Sequence, residues 1–195
     1  MKYVNASVLC LMLLTCTQVF AEESKTVTPD FRCIRDMVPI RHFYVDNIIG
    51  PEDLKLTVKA ANNSSGEIYP VGSVIQLVPT EVMVKRDEGF SPVTNDWEFF
   101  ELDVSPQGSK ILTRGFVDVK NRFGGNCFAC HVKAESQWDF VCETGHGCDP
   151  LPLTHVMTRA VQKMDPRCSK TEELTTEESI ALEALNNLMG GGVNL

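Results

Sequence analysis

The sequence predicts an α+β fold, in which a small antiparallel β-sheet has helices packed on one side. β-Branched and aromatic residues are concentrated in short segments at 71–78, 81–86, 97–104 and 111–119, as is typical of strands. Turn residues separate several of these segments, which favours antiparallel connections. Toward the C-terminus, apolar residues recur at helical spacing instead. A strand region followed by a helical region indicates an α+β domain.

The first strands are predicted from their composition and from the turn and proline residues that bound them. Residues 40–49 form an aromatic stretch that fits either a strand or a short helix. A turn cluster at 62–66 leads into the β-branched run at 71–78, which Pro79 ends. The run at 81–86 has the same character and is shorter.

A hairpin is predicted from residue 97 to residue 119. Residues 105–108 form a turn, so the strand at 97–104 pairs with a partner at 111–119 through a four-residue connection. Alternation along the first strand places two aromatic rings on one face and three apolar side chains on the other. The first pair is Trp97 and Phe99, and the second group is Phe100, Leu102 and Val104.

Two helices are predicted near the C-terminus. Apolar residues at 153–164 fall at helical spacing, and Pro166 stops the run. The second helix begins at Thr175, where Thr-Thr-Glu-Glu has the form of a capping box, and it ends at Gly190.

Composition limits the function classes. The 195-residue chain is long enough for one domain with a sizeable core, and its 43% hydrophobic and 23% charged residues are ordinary for a folded protein. The formal net charge is −8. Nucleic-acid binding is not expected, because phosphate neutralisation needs clustered Lys and Arg. A redox partner protein is expected to carry a basic docking face.

The N-terminus has the features of a secretory signal peptide. Lys2 gives a positive start, an apolar run covers residues 8–15, and Ala21 ends a segment with small residues at the cleavage positions. We expect cleavage after Ala21, a periplasmic location and no membrane span in the mature chain. An uncleaved anchor is the alternative.

The main functional signal is the run Cys127-Phe128-Ala129-Cys130-His131. At this spacing two thiols form thioethers to one porphyrin and the histidine binds its iron, so the sequence predicts a c-type haem. The alternatives are a thioredoxin-like redox pair and half of a zinc site. The first would need a βαβ context and the second another Cys or His pair, and neither is evident in the sequence.

This motif gives the expected organisation of the chain. Residues 1–21 are the signal peptide and 22–39 a lead-in, 40–168 form the haem-binding domain, and 169–195 form a C-terminal helix and tail. The haem is attached near the C-terminal third. Bacterial c-type cytochromes are completed outside the inner membrane, which agrees with export.

Four further cysteines remain after removal of the signal and attachment of haem. In an oxidising compartment they suggest two disulfides, with three possible pairings. We expect Cys142 to pair with Cys148 across a short loop and Cys33 to pair with Cys168. A free thiol is the alternative.

The order of these elements resembles the cytochrome P-460 family, which includes the cytochromes c′-β. The resemblance covers about residues 40–165 and rests on five short phrases. They are Gly72-Ser73-Val74, Val84-Lys85, Trp97-Glu98-Phe99, the late motif from Cys127 to His131, and Asp139-Phe140-Val141.

Similarity to this family implies that His131 is the proximal iron ligand and that the distal position is open or shielded by apolar side chains. Cytochromes P-460 join a lysine to the porphyrin edge, but Leu77 occupies that position here, and Lys85 is the alternative only if the register differs. Without the cross-link the chain resembles a cytochrome c′-β, a class that binds nitric oxide and similar gases. With it, hydroxylamine oxidation is the better interpretation.

Several other residues are candidates for the wall of the haem pocket, the second axial ligand or a proton acceptor. We expect Trp97 and Phe99 to wall the haem pocket, with plain sheet packing as the alternative. A six-coordinate electron carrier would need a second strong axial ligand. The candidates after the motif are Met157 and Met164, for which core packing on a predicted helix is the favoured alternative. His146 and His155 could also reach the iron, but an ordinary surface role is favoured for both and for His42. Oxidative chemistry would need a proton acceptor such as Glu98, Glu101 or Asp103.

The sequence therefore predicts a periplasmic mono-haem c-type cytochrome that binds a small gaseous or nitrogen-oxide ligand, such as nitric oxide, at an open iron site. The alternatives are an oxidoreductase acting on hydroxylamine or nitric oxide, and a six-coordinate electron carrier.

Overall fold

A computed structural model describes residues 29–190, and the predicted signal peptide at 1–21 lies outside these residues. Within them, a six-stranded antiparallel sheet is combined with four α-helices, which confirms the α+β class. The strands lie side by side in chain order, so each strand pairs with its neighbour in the chain. None of the described helices is long and apolar enough to cross a membrane.

The first four strands match the apolar segments of the sequence. The stretch at 40–49 resolves as strand: β1 (Val38–Ile40) turns at Arg41 into β2 (Phe43–Asn47). The next two strands are β3 (Ser73–Val78) and β4 (Glu81–Lys85), joined by a tight connection.

The predicted hairpin is formed by β5 (Trp97–Ser105) and β6 (Gly108–Gly115). Its connection is shorter than expected, because Ser105 pairs directly with Gly108 and leaves two residues in the turn. β6 also ends at Gly115 and does not reach residue 119. Gly115 has φ +108°, a conformation outside the extended region that interrupts the strand.

The two faces of β5 enter different cores, as the alternation predicts. Trp97 and Phe99 pack with α1 (Pro51–Asn62) and with side chains of β2, β3 and β4. Phe100 and its neighbours on the opposite face pack against Phe31, Ile34 and Met37 of the segment before β1. The sheet is therefore covered on both faces, by a helix on one and by an N-terminal segment on the other.

Helix α1 is not predicted by the sequence analysis. Pro51 stands at its first turn, where a missing N–H costs nothing, and Leu54, Val58 and Ala61 recur at helical spacing on its inner side. Four charged residues and the outward-facing Leu56 weaken the apolar pattern of this helix.

The C-terminal helices form as predicted. They are α3 (His155–Lys163) and α4 (Thr176–Leu188), which pack on each other and on Val78. The capping box is present: the Thr175 hydroxyl accepts the Glu178 N–H at 3.2 Å, and the Glu178 carboxylate accepts the Thr175 N–H at 2.9 Å.

Both expected disulfides are present. Cys142 pairs with Cys148 across the short loop. Cys33 pairs with Cys168 and joins the segment before β1 to the segment after α3.

Candidate functional site

The predicted motif forms its own helical turn, α2 (Cys127–His131). Asn126 caps it, since its side-chain oxygen accepts the Ala129 N–H at 2.8 Å. The Asn126 amide donates to the carbonyls of Val117 and Val119 at 2.8 and 3.2 Å. One side chain thus starts the turn and fastens it to the segment that follows β6.

The turn brings both motif cysteines and the histidine to one cavity of about 390 Å³. Residues three and four apart lie on one face of a helix, so Cys127, Cys130 and His131 are presented together. Cys127 and Cys130 are the free cysteines among residues 29–190. The apolar part of the cavity wall comes from the strands β2 to β5 and the chain after α2, and includes Phe43, Ile75, Leu77, Met83, Phe99 and Val141.

His131 has a fixed orientation. Its Nδ1 lies 2.7 Å from the Phe140 carbonyl oxygen, which can only accept, so the proton is on Nδ1 and Nε2 is the nitrogen that can bind a metal. Its ring lies 5.1 Å from the Phe99 ring, centroid to centroid. Burial lowers the pKa of His131, which favours the neutral form that a metal requires.

A buried polar network holds the carbonyl that orients His131. Asp139 and Phe140 both have positive φ, 49° and 62°, in the left-handed region. The Asp139 carboxylate accepts from Lys85 Nζ at 2.8 Å, from the Tyr69 N–H at 2.9 Å and from the Asn95 amide. These bonds fix the backbone immediately before Phe140.

The two aromatic residues predicted to wall the pocket have different positions. Phe99 lines the cavity and contacts the His131 ring. Trp97 is fully buried on the same face but is not among the side chains that line the cavity. Its Nε1 donates to the Asp139 carbonyl oxygen at 2.7 Å, and its ring packs edge-on against Tyr69. Trp97 therefore supports the polar network.

The candidate axial methionines do not lie at the cavity. Met157 packs with Val161 and Leu185 between α3 and α4, and Met164 is 40% exposed. Met83 lines the cavity instead and was not predicted from the sequence. It pairs with Phe99 across β4 and β5, so both side chains are on the same face of the sheet, and a sequence pattern does not reveal this register.

Two of the remaining histidines lie at the cavity and the third lies outside it. His42 and His155 stack on each other, with ring centroids 4.7 Å apart, and both line the cavity. His146 lies outside it, stacked on Trp138 at 3.7 Å.

The acidic residues proposed as proton acceptors are also distributed unexpectedly. Glu98 is buried on the opposite face of the sheet, where it pairs with Arg86 and Arg114. Neither Glu101 nor Asp103 is among the side chains that line the cavity. Glu81 does line it, and burial raises the pKa of Glu81 although its carboxylate accepts the Arg122 N–H at 2.8 Å.

The surroundings of the two motif thiols disfavour the thiolate form. Burial raises the pKa of Cys127 to about 12 and also raises that of Cys130, whereas reactive cysteines have lowered values. Among residues 29–190, the one group of three potential ligand side chains close enough to hold an ion includes Cys33 and Cys168, which are joined in a disulfide.

No protein-family model, no curated protein and no solved structure matches the chain.

Proposed function

We propose that the chain is a mono-haem c-type protein in which Cys127 and Cys130 hold the porphyrin through thioethers and His131 binds its iron. The observation that carries the proposal is the meeting of two free thiols and a neutral, oriented imidazole on one helical turn at one largely apolar cavity. Metal-binding histidines ordinarily donate a hydrogen bond from the ring nitrogen that does not bind the metal, as His131 Nδ1 does to the Phe140 carbonyl.

The cavity suits a porphyrin in both size and chemistry. Cofactor pockets span roughly 300–1,000 Å³ and are lined mainly by apolar and aromatic side chains with few polar groups. The volume here is about 390 Å³, within that range. Phe99, Leu77 and Ile75 would lie against the macrocycle and exclude water.

The best-supported activity is the binding of a small gaseous or nitrogen-oxide ligand, as in the cytochromes c′-β that the sequence resembles. Haem iron with one protein ligand supplies a coordination position for such molecules. Leu77 lies at the cavity, so no amine is available there for the cross-link of the cytochromes P-460. Lys85 is held by Asp139 at 2.8 Å. Oxidation of hydroxylamine is accordingly the weaker interpretation.

A periplasmic location fits the two disulfides, since these bonds persist in oxidising compartments. It is part of the proposal, together with the cleaved signal peptide.

A six-coordinate electron carrier is the second candidate, and Met83 is the observation in its favour. This residue lines the cavity and is 4% exposed, and a methionine is a common second ligand in electron-transfer cytochromes. His42 and His155 line the same cavity. Such a protein would act with a redox partner.

An absorption spectrum of the mature protein separates these functions. We expect a high-spin ferric spectrum that changes when the protein is reduced and exposed to nitric oxide, and that is unchanged in Met83→Leu. Met157→Leu is the matched control, since it removes a methionine that packs away from the cavity. A low-spin spectrum that nitric oxide does not change, and that becomes high-spin in Met83→Leu alone, would contradict ligand binding and favour electron transfer.

A further inference from the structure

A second cavity, of about 630 Å³, adjoins the first and is not used by the proposed function. The two cavities share His42, Glu143 and His155 in their walls. Gln162 joins these walls, since its amide donates to the carbonyls of His42 and Leu77, both at 2.8 Å. We call the second space the histidine cavity.

Basic side chains are concentrated in the histidine cavity. It is lined by His42, His146 and His155, three of the four histidines in the chain, and by Arg41 and Arg159. This concentration stands out in a protein whose net charge is −8. Glu143 is the acidic side chain in the same lining.

Charge pairing leaves the cavity positive. Glu143 is matched by Arg41, whose Nε donates to its carboxylate at 2.7 Å. Arg159 is half exposed, and its Nε lies 3.7 Å from Glu178, a carboxylate that Lys163 already holds at 2.8 Å. One guanidinium and three imidazoles therefore remain to meet a ligand.

Two of the three histidines have surroundings that bear on ligand binding. His146 bonds through Nδ1 to the Val141 carbonyl at 2.7 Å, so its Nε2 is left for a ligand. Burial lowers the pKa of His42, and His155 and Arg41 lower it further while Glu143 opposes them. A bound anion would favour the protonated, hydrogen-bond-donating form of His42.

We infer that the histidine cavity binds a carboxylate or small oxyanion, held by Arg159 and the imidazoles of His42, His146 and His155. Guanidinium and imidazolium groups form charge-assisted hydrogen bonds with such groups. Two sources have this chemistry. One is the pair of propionate carboxylates of a porphyrin in the adjoining cavity, and this case rests on the proposed function. The other is a free oxyanion.

The test compares Arg159→Gln with Arg32→Gln in the full mature protein. Both changes remove a guanidinium with about half of its side chain exposed, 50% and 54%, and Arg32 pairs with Asp46 away from this cavity. Calorimetric titration with inorganic phosphate measures a free anion. Resonance Raman measurement of the propionate bending mode reports hydrogen bonds to the porphyrin carboxylates.

Two results support the inference and identify the source. Saturable phosphate binding that weakens about tenfold or more in Arg159→Gln alone indicates a free oxyanion. A propionate band that shifts in Arg159→Gln alone, without phosphate binding, indicates the porphyrin carboxylates. The absence of both effects overturns the inference. If the purified protein carries no haem, the proposed function fails separately, and phosphate binding alone decides whether this cavity is an anion site.

Discussion

Lys85, the last residue of β4, and Arg86, which follows it, place equally buried positive charges on opposite sides of the sheet. Each is 6% exposed, and each meets a buried carboxylate, Asp139 at 2.8 Å and Glu98 at 2.7 Å. Arg114 completes the second group at 2.6 Å from Glu98. The Arg86 group joins the residue that follows β4 to strands β5 and β6, whereas the Lys85 pair joins the sheet to the chain that follows α2.

The two buried ion pairs are similar in charge and burial, but only the Lys85–Asp139 pair adjoins the candidate site. Asp139 directly precedes Phe140, whose carbonyl orients His131. Loss of charge at Asp139 should therefore change the position of His131, the candidate iron ligand. Loss of charge at Glu98 should affect folding stability alone.

The largest effect is expected from Asp139→Asn. Asparagine tolerates the left-handed backbone at this position, so the change removes charge and leaves the turn possible. Lys85 would remain buried without its counter-charge, which costs about 3–5 kcal/mol in the free energy of unfolding. Urea unfolding measures this loss, and the iron–histidine stretching frequency of the haem-loaded protein should shift.

A combined Lys85→Met and Asp139→Asn variant tests whether misfolding alone explains the effect of Asp139→Asn, because it removes both charges of the pair. We expect it to recover part of the lost stability while the stretching frequency stays shifted. An unshifted frequency in the folded variants would show that Asp139 does not position His131.

A smaller effect is expected from Glu98→Gln. The free energy of unfolding should fall by about 2–3 kcal/mol. Arg86 is buried and loses the charge of Glu98, but the charge of Arg114 can be hydrated because its side chain is partly exposed. Urea unfolding again measures stability, and the iron–histidine frequency should equal that of the unsubstituted protein. A frequency shift of the size seen for Asp139→Asn would remove the distinction between the two faces.

The smallest effect is expected from Glu178→Gln, which extends the comparison to the α3–α4 pair. The hydrogen bond from Lys163 lowers the pKa of Glu178 to about 2, and glutamine can keep the capping bond to Thr175. A lowered pKa in the folded state gives stability that is present above the ordinary value of 4.5 and is lost as pH falls toward 2.

Urea unfolding at a series of pH values tests this expectation. The variant should be less stable than the unsubstituted protein at pH 7, and the two should converge as pH falls below about 4.5. A stability difference that does not change with pH would mean that the charge of Glu178 is not what stabilises the helix pair.

Local patterns predicted the parts of the fold that depend on local physics. Strand alternation placed Trp97 and Phe99 on the face of the sheet opposite to Phe100. Cysteine count indicated two disulfides, and the preferred one of the three possible pairings is the one present. Thr175 and Glu178 identified the start of α4, because a capping box needs two residues three positions apart.

Features that depend on distant contacts were not visible in the sequence. Lys85 and Asp139 are 54 positions apart, and only strand register and the turn after α2 bring them together. The same applies to Met83, whose place at the cavity follows from its pairing with Phe99. The strand at 111–119 was predicted too long because the backbone at Gly115 leaves the extended region, which an apolar pattern does not reveal.

The most direct test of the central claim is the intact mass of the mature protein, produced in cells that attach haem to c-type cytochromes. We expect a mass increase equal to one haem, lost in Cys127→Ser/Cys130→Ser and kept in Cys142→Ser/Cys148→Ser, which removes a disulfide pair instead. An unmodified chain, from cells that load another c-type cytochrome normally, would contradict haem attachment at this motif.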